Sequence, residues 1–132
     1  MVKTRKGERA LKHKNLTPEK AAAKFIAFAE EEGKCKLSGN TARCERLKHQ
    51  MDALLLEMRE DKLLTVTALK RIMLSYSRRA RSLGAIEALR RHVLVDMALH
   101  TLEETARAND VLGLASQRAL KVWSGELHWQ TL

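Results

Sequence analysis

Residues 41–60 read TARCERLKHQMDALLLEMRE, and the spacing inside them decides the fold. Cys44, Leu47, Met51, Leu54 and Met58 follow one another at intervals of three, four, three and four. A helix turns once in about 3.6 residues, so these side chains share one face and leave the charged ones on the other. Two heptads are too few to make a coiled coil by themselves. The seam therefore predicts a helix over Thr41–Glu60 that packs in a hairpin or bundle.

The same period continues on both sides of this stretch. Upstream, Thr17 can cap a helix, Pro18 suits its first position and Glu19 its positive end; Ala22, Phe25, Ile26 and Ala29 give the buried stripe. Gly33 is expected to stop that helix, with a loop at 37–41. Downstream, a third helix is expected from a Thr65 cap to Gly84, burying Leu69, Ile72, Met73, Tyr76, Ala80 and Leu83. A fourth, over about 85–108, is apolar almost all round at Val93, Leu94, Val95, Met97, Ala98 and Leu99, which suits a bundle centre or a homodimer interface. Asn109 and Asp110 end or bend it. A fifth runs over about 111–124 on Leu112, Ala115, Ala119, Leu120 and Trp123, with Gly125 as its stop; beyond it Trp129 is expected to fold back onto the body.

Composition agrees. One proline and six glycines in 132 residues are too few for the turns of a sandwich or barrel, and 45% apolar with 31% charged residues is a globular balance. No apolar run reaches the ~18 residues of a membrane span. The expected fold is all-α: a compact bundle of about five helices forming a single domain over 16–132, preceded by a flexible arm over 1–15 that has too few apolar residues to bury a face.

The formal charge of +9 is unevenly placed. The arm holds Lys3, Arg5, Lys6, Arg9, Lys12 and Lys14 against Glu8, a net +5. Residues 62–91 hold Lys62, Lys70, Arg71, Arg78, Arg79, Arg81, Arg90 and Arg91 against Glu87, a net +7. Those two segments exceed the whole excess, and the rest of the chain is slightly acidic. Clustered positive charge attracts a polyanion. On the third helix, Lys70, Arg71, Ser77, Arg78 and Arg81 fall largely opposite the buried stripe, so a basic helix face is expected.

Other chemistry finds little support. His92, Asp96 and His100 are spaced i, i+4, i+8 on the fourth helix, but a bundle metal centre needs more ligands than these, and they read better as its wet edge. Cys35 and Cys44 lie too far apart in sequence for a zinc pair. In a chain without a secretory signal they are expected to be thiols in a reducing, cytoplasmic setting. Cys44 on the apolar seam suits a small core residue. No phosphate loop, metal-protease or nucleophile-elbow motif occurs, so no catalytic residue, metal or cofactor is expected. The segment 101–123 has the outline of a helix-turn-helix, which would offer Ser116, Gln117, Arg118 and Lys121 to a groove. Its turn is long and its charge near neutral, which fits a structural hairpin better.

The expected function is non-catalytic nucleic-acid binding by a regulatory or accessory protein. The arm and Lys70, Arg71, Arg78, Arg79 and Arg81 would contact phosphates, with Arg90 and Arg91 extending the patch. Aromatic residues are only 4% of the chain, which favours duplex DNA or structured RNA over single strands. The alternative is a helical interaction module that self-associates or takes an acidic protein partner. A membrane-surface role ranks lower, since the basic helix carries a single aromatic, Tyr76.

Overall fold

Residues 16–126 of the computed structural model are described, and six helices make up most of them. They are α1 (Pro18–Ser38), α2 (Thr41–Arg59), α3 (Lys62–Met73), α4 (Arg78–Arg90), α5 (Val95–Ala106) and α6 (Val111–Trp123). There is no strand among the described residues. Five of the six start at a short polar side chain that accepts an amide three residues ahead: Thr17, Asn40, Asp61, Ser77 and Asp110. Each satisfies one of the amides that a helix start leaves without a partner.

Two expected helices are broken where the apolar pattern ran on. The third divides into α3 and α4, because Ser77 accepts from the Ala80 amide at 3.1 Å and restarts the helix there. The third helix also begins earlier than expected. Asp61, not Thr65, is its cap, while the buried Thr65 hydroxyl donates back to the carbonyls of Met58 and Asp61. The fourth breaks at residues 91–94, where His92 (φ 56°) and Leu94 (φ 49°) take left-handed backbone conformations. A continuous helix would have spread Val93, Leu94, Val95 and Met97 around its whole circumference. Turning the chain there lets all four pack against one core.

Two glycines expected as stops lie inside helices. α1 runs past Gly33 and ends at Gly39, whose φ of 75° is the left-handed cap conformation. Gly84 sits within α4, where a β-carbon would come within 2.5 Å of Ile72 Cγ2. It is a contact glycine that lets α3 and α4 cross closely.

α1 packs on α2, α3 and α4; α3 also meets α2 and α5; α4 also meets α3, α5 and α6; α5 meets α6; and the most extensive packing is that of α4. The helix at the centre is therefore α4, which carries four arginines but buries Ala80, Ser82, Gly84, Ala85, Ala88 and Leu89. Its small residues admit neighbours on several sides. Phe25, Met58, Leu69, Ile72, Leu89 and Leu102 fill the space between. The seam on α2 is core only in its second half: Leu54 and Met58 are buried and Met51 packs against them, whereas Leu47 and Cys44, the latter expected as a small core residue, are half-buried outside the core cluster. No helix among the described residues is long and apolar enough to cross a membrane. The arm over 1–15 and Trp129 lie outside the described residues.

Candidate nucleic-acid interface

The basic residues read from the sequence do not form one stripe. Lys3, Arg5, Lys6, Arg9, Lys12 and Lys14 lie outside the described residues. The other seven fall into groups with different surroundings.

Lys70 and Arg71 stand exposed near the end of α3. Lys70 has no ion pair among the described residues. Arg71 Nη2 lies 3.3 Å from Glu19 Oε1, and both side chains are more than half exposed. Glu19 is in the first turn of α1, just after the buried Leu16 and the Thr17 cap. Its carboxyl is held below its ordinary pKa, first by a hydrogen bond with its own backbone amide and then by Arg71. The first turn of α1 therefore lies against the basic end of α3.

Arg78 and Arg81 surround the turn between α3 and α4. Arg78 grips Asp110 with Nη1 and Nη2 of its guanidinium, at 2.5 and 3.0 Å, so the start of α4 is tied to the cap of α6. Those hydrogen bonds, and then the one from the Gly113 amide, bring Asp110 down to a pKa of about 2. Arg81 Nη1 donates to the Ser75 carbonyl at 2.8 Å.

Arg79 and Arg91 are committed to the fold. Arg79 pairs with Glu32 on α1 at 2.7 Å, and both side chains are about 15% exposed. Its stem passes over Gly33, where a β-carbon would press on Arg79 Cδ at 3.2 Å. Arg91 donates to Glu87 Oε2 at 2.6 Å and to the Leu55 carbonyl at 2.9 Å, joining the ends of α4 and α2. Arg90 lines a shallow cleft there with Arg59, Asp52, Leu55 and Leu56. About 18 Å of helix separates Arg78 from Arg90, at 1.5 Å per residue. The two ends of α4 are separate surfaces.

The remaining sequence motifs resolve as structure. His92 lies in the turn before α5, with its ring centroid 5.4 Å from that of Trp123, so it does not share a helix face with Asp96 and His100. No group of three metal-ligating side chains occurs among the described residues. Cys35 and Cys44 are free thiols at the α1–α2 turn. Burial first, and then the neighbouring Cys35 thiol, pushes Cys44 up from its ordinary pKa. In the α5–α6 hairpin Ser116 is buried against Ser82 at 3.0 Å, and Gln117 donates to the Ala106 carbonyl. Two of the four side chains a reading helix would present are thus occupied.

Tyr76, which helical spacing would bury, is 83% exposed on the α3–α4 turn, two residues from Leu74 at 68%. The signal that could have shown this is Ser75 and Ser77 on either side of it, since serine favours turns and caps over helix interiors. No family model, curated protein or solved structure matches this chain.

Proposed function

We propose that this protein binds nucleic acid without catalysis, taking phosphates with segment 1–15 and with Lys70 and Arg71 at the end of α3. One observation carries the reading. The Glu19–Arg71 contact sets the first turn of α1, which follows a segment of net charge +5 in the sequence, beside two exposed cations that no buried acid claims. Exposed ion pairs are worth only about 0–1 kcal/mol, so Arg71 can exchange Glu19 for a phosphate at small cost. Arg79 and Arg91 belong to the fold in this account, and Arg78 and Arg81 border the surface.

The test is fluorescence anisotropy with labelled duplex DNA and a structured RNA. Charge reversal at Lys70 and Arg71, and separately Gln at the six cations of segment 1–15, should each weaken binding while circular dichroism stays unchanged. If both variants bind as the parent does, the assignment is wrong. A second reading, a protein-interaction module, is favoured by exposed Val111 and Leu114, three residues apart on α6. It predicts self-association in light scattering that Leu114→Glu abolishes.

A further inference from the structure

The turn between α3 and α4 is firmly held, yet it presents apolar side chains to solvent. The Leu74 amide bonds the carbonyls of Lys70 and Arg71 at 3.1 and 3.2 Å. Ser75 donates to the Ile72 carbonyl through both its amide, at 3.1 Å, and its hydroxyl, at 2.7 Å. Ser77 is buried as the cap of α4, and Arg81 reaches back to the Ser75 carbonyl. A backbone tied at so many points fixes the direction in which its side chains leave the main chain. Tyr76, the single tyrosine of the chain, projects outward from it.

The surroundings are cationic. Lys70 and Arg71 precede the turn and Arg78 and Arg81 follow it; Glu19 pairs with Arg71 in an exposed contact and Asp110 with Arg78, which leaves Lys70 and Arg81 without a carboxylate partner among the described residues. An exposed aromatic ring on a rigid support, flanked by cations, matches the two parts of a nucleotide. The ring offers a face to a base, and the cations take the phosphates beside it. A paired base inside a helix has no free face, so the matching substrate is a structured nucleic acid with an unpaired base.

We propose that Tyr76 is the stacking platform for one unpaired base of a loop or bulge, with Lys70 and Arg71 holding the flanking phosphates. This rests on the nucleic-acid reading above and names its substrate class. The ring is so exposed that replacing it leaves the fold intact, which circular dichroism verifies.

The experiment compares two probes of equal length and charge: an RNA hairpin with 2-aminopurine in its loop, and a fully paired duplex. Tyr76→Ala should weaken hairpin binding by about tenfold, the scale of one lost base–aromatic stack, and leave duplex binding unchanged. Tyr76→Phe should keep the affinity and also the quenching of 2-aminopurine, which Tyr76→Ala should lose. Equal effects on both probes, or none, overturn the proposal while leaving the nucleic-acid reading in place. A change of oligomeric state in Tyr76→Ala, seen by light scattering, also overturns it and assigns the ring to a protein interface. If the unaltered chain binds neither probe at low salt, the nucleic-acid reading itself fails and the proposal with it.

Discussion

Replacing Gly84 by alanine separates the packing account from the helix-propensity account, because the two give opposite signs. Gly84 lies inside α4, where alanine ordinarily stabilises by about 0.5–1 kcal/mol. Here the new β-carbon would stand 2.5 Å from Ile72 Cγ2 and 3.3 Å from Ile72 Cβ. Carbon atoms rest at about 3.5–4.0 Å, so the nearest approach is about 1 Å too close. Ile72 cannot swing away. It is fully buried, and a β-branched side chain in a helix has one strongly preferred rotamer. Overpacking of this kind costs about 1–3 kcal/mol. Taking the middle of each range, the net loss is about 1 kcal/mol, or roughly 5 °C in Tm for a domain of this size. Urea unfolding followed at 222 nm should show a lower midpoint with an unchanged slope. Ile72→Ala should cost about 2–5 kcal/mol alone, but the two changes together should cost less than their sum, since each relieves the other. A Gly84→Ala variant as stable as the parent, or strict additivity in the pair, would refute the close crossing of α3 and α4 that also positions Tyr76.

Three further outcomes follow from the same contacts. Glu32→Gln should lower stability by about 1–3 kcal/mol in the same urea assay, because it leaves the Arg79 guanidinium half-sequestered without its carboxylate; Lys70→Glu should change stability by less than about 0.5 kcal/mol. Asp110 has a folded-state pKa of about 2 against an ordinary 3.8, so its contribution is full above pH 4 and is lost as the pH falls toward 2. Across that window the parent should lose more stability than Asp110→Asn, and parallel pH profiles would contradict the Arg78 fork. Burial and the Cys35 thiol raise the Cys44 thiol above its ordinary pKa; iodoacetamide should alkylate it in the folded protein with a pH profile displaced upward from that of the urea-unfolded chain, and a profile that is not displaced would count against its setting beside Cys35.

What could be read from the pattern and what could not follows physical lines. The α2 seam was legible because Leu54 and Met58 bury one clean face of an otherwise polar helix. α6 was legible for the same reason, with Asp110 before it and Gly125 after it. The break at Ser77 was not, since Leu69, Ile72, Met73, Tyr76 and Ala80 keep helical spacing straight through the turn. One hydrogen bond from the Ala80 amide decides the matter there, and periodicity does not register it. The break at residues 91–94 was hidden because apolar side chains on all sides of a helix resemble a buried core helix. For the candidate site, sequence located the charge but not its occupation. A local count of Lys and Arg shows no acids near Arg79 in sequence, whereas Glu32 reaches it from 47 positions away. The same holds for Arg78, whose partner Asp110 is 32 positions away.

Phosphate binding by segment 1–15 with Lys70 and Arg71 has its clearest signature in the salt dependence of affinity. Affinity for a 20-base-pair duplex, measured by anisotropy between roughly 50 and 200 mM salt, should fall log-linearly with a slope of about −5 to −7. That slope corresponds to the six to eight phosphates that segment 1–15 with Lys70 and Arg71 can neutralise. Reversing Lys70 and Arg71 should shrink the slope by about 2, while Glu32→Gln should leave it unchanged in protein that remains folded. No binding at the lowest salt, or a slope that stays the same when Lys70 and Arg71 are reversed, would contradict the account.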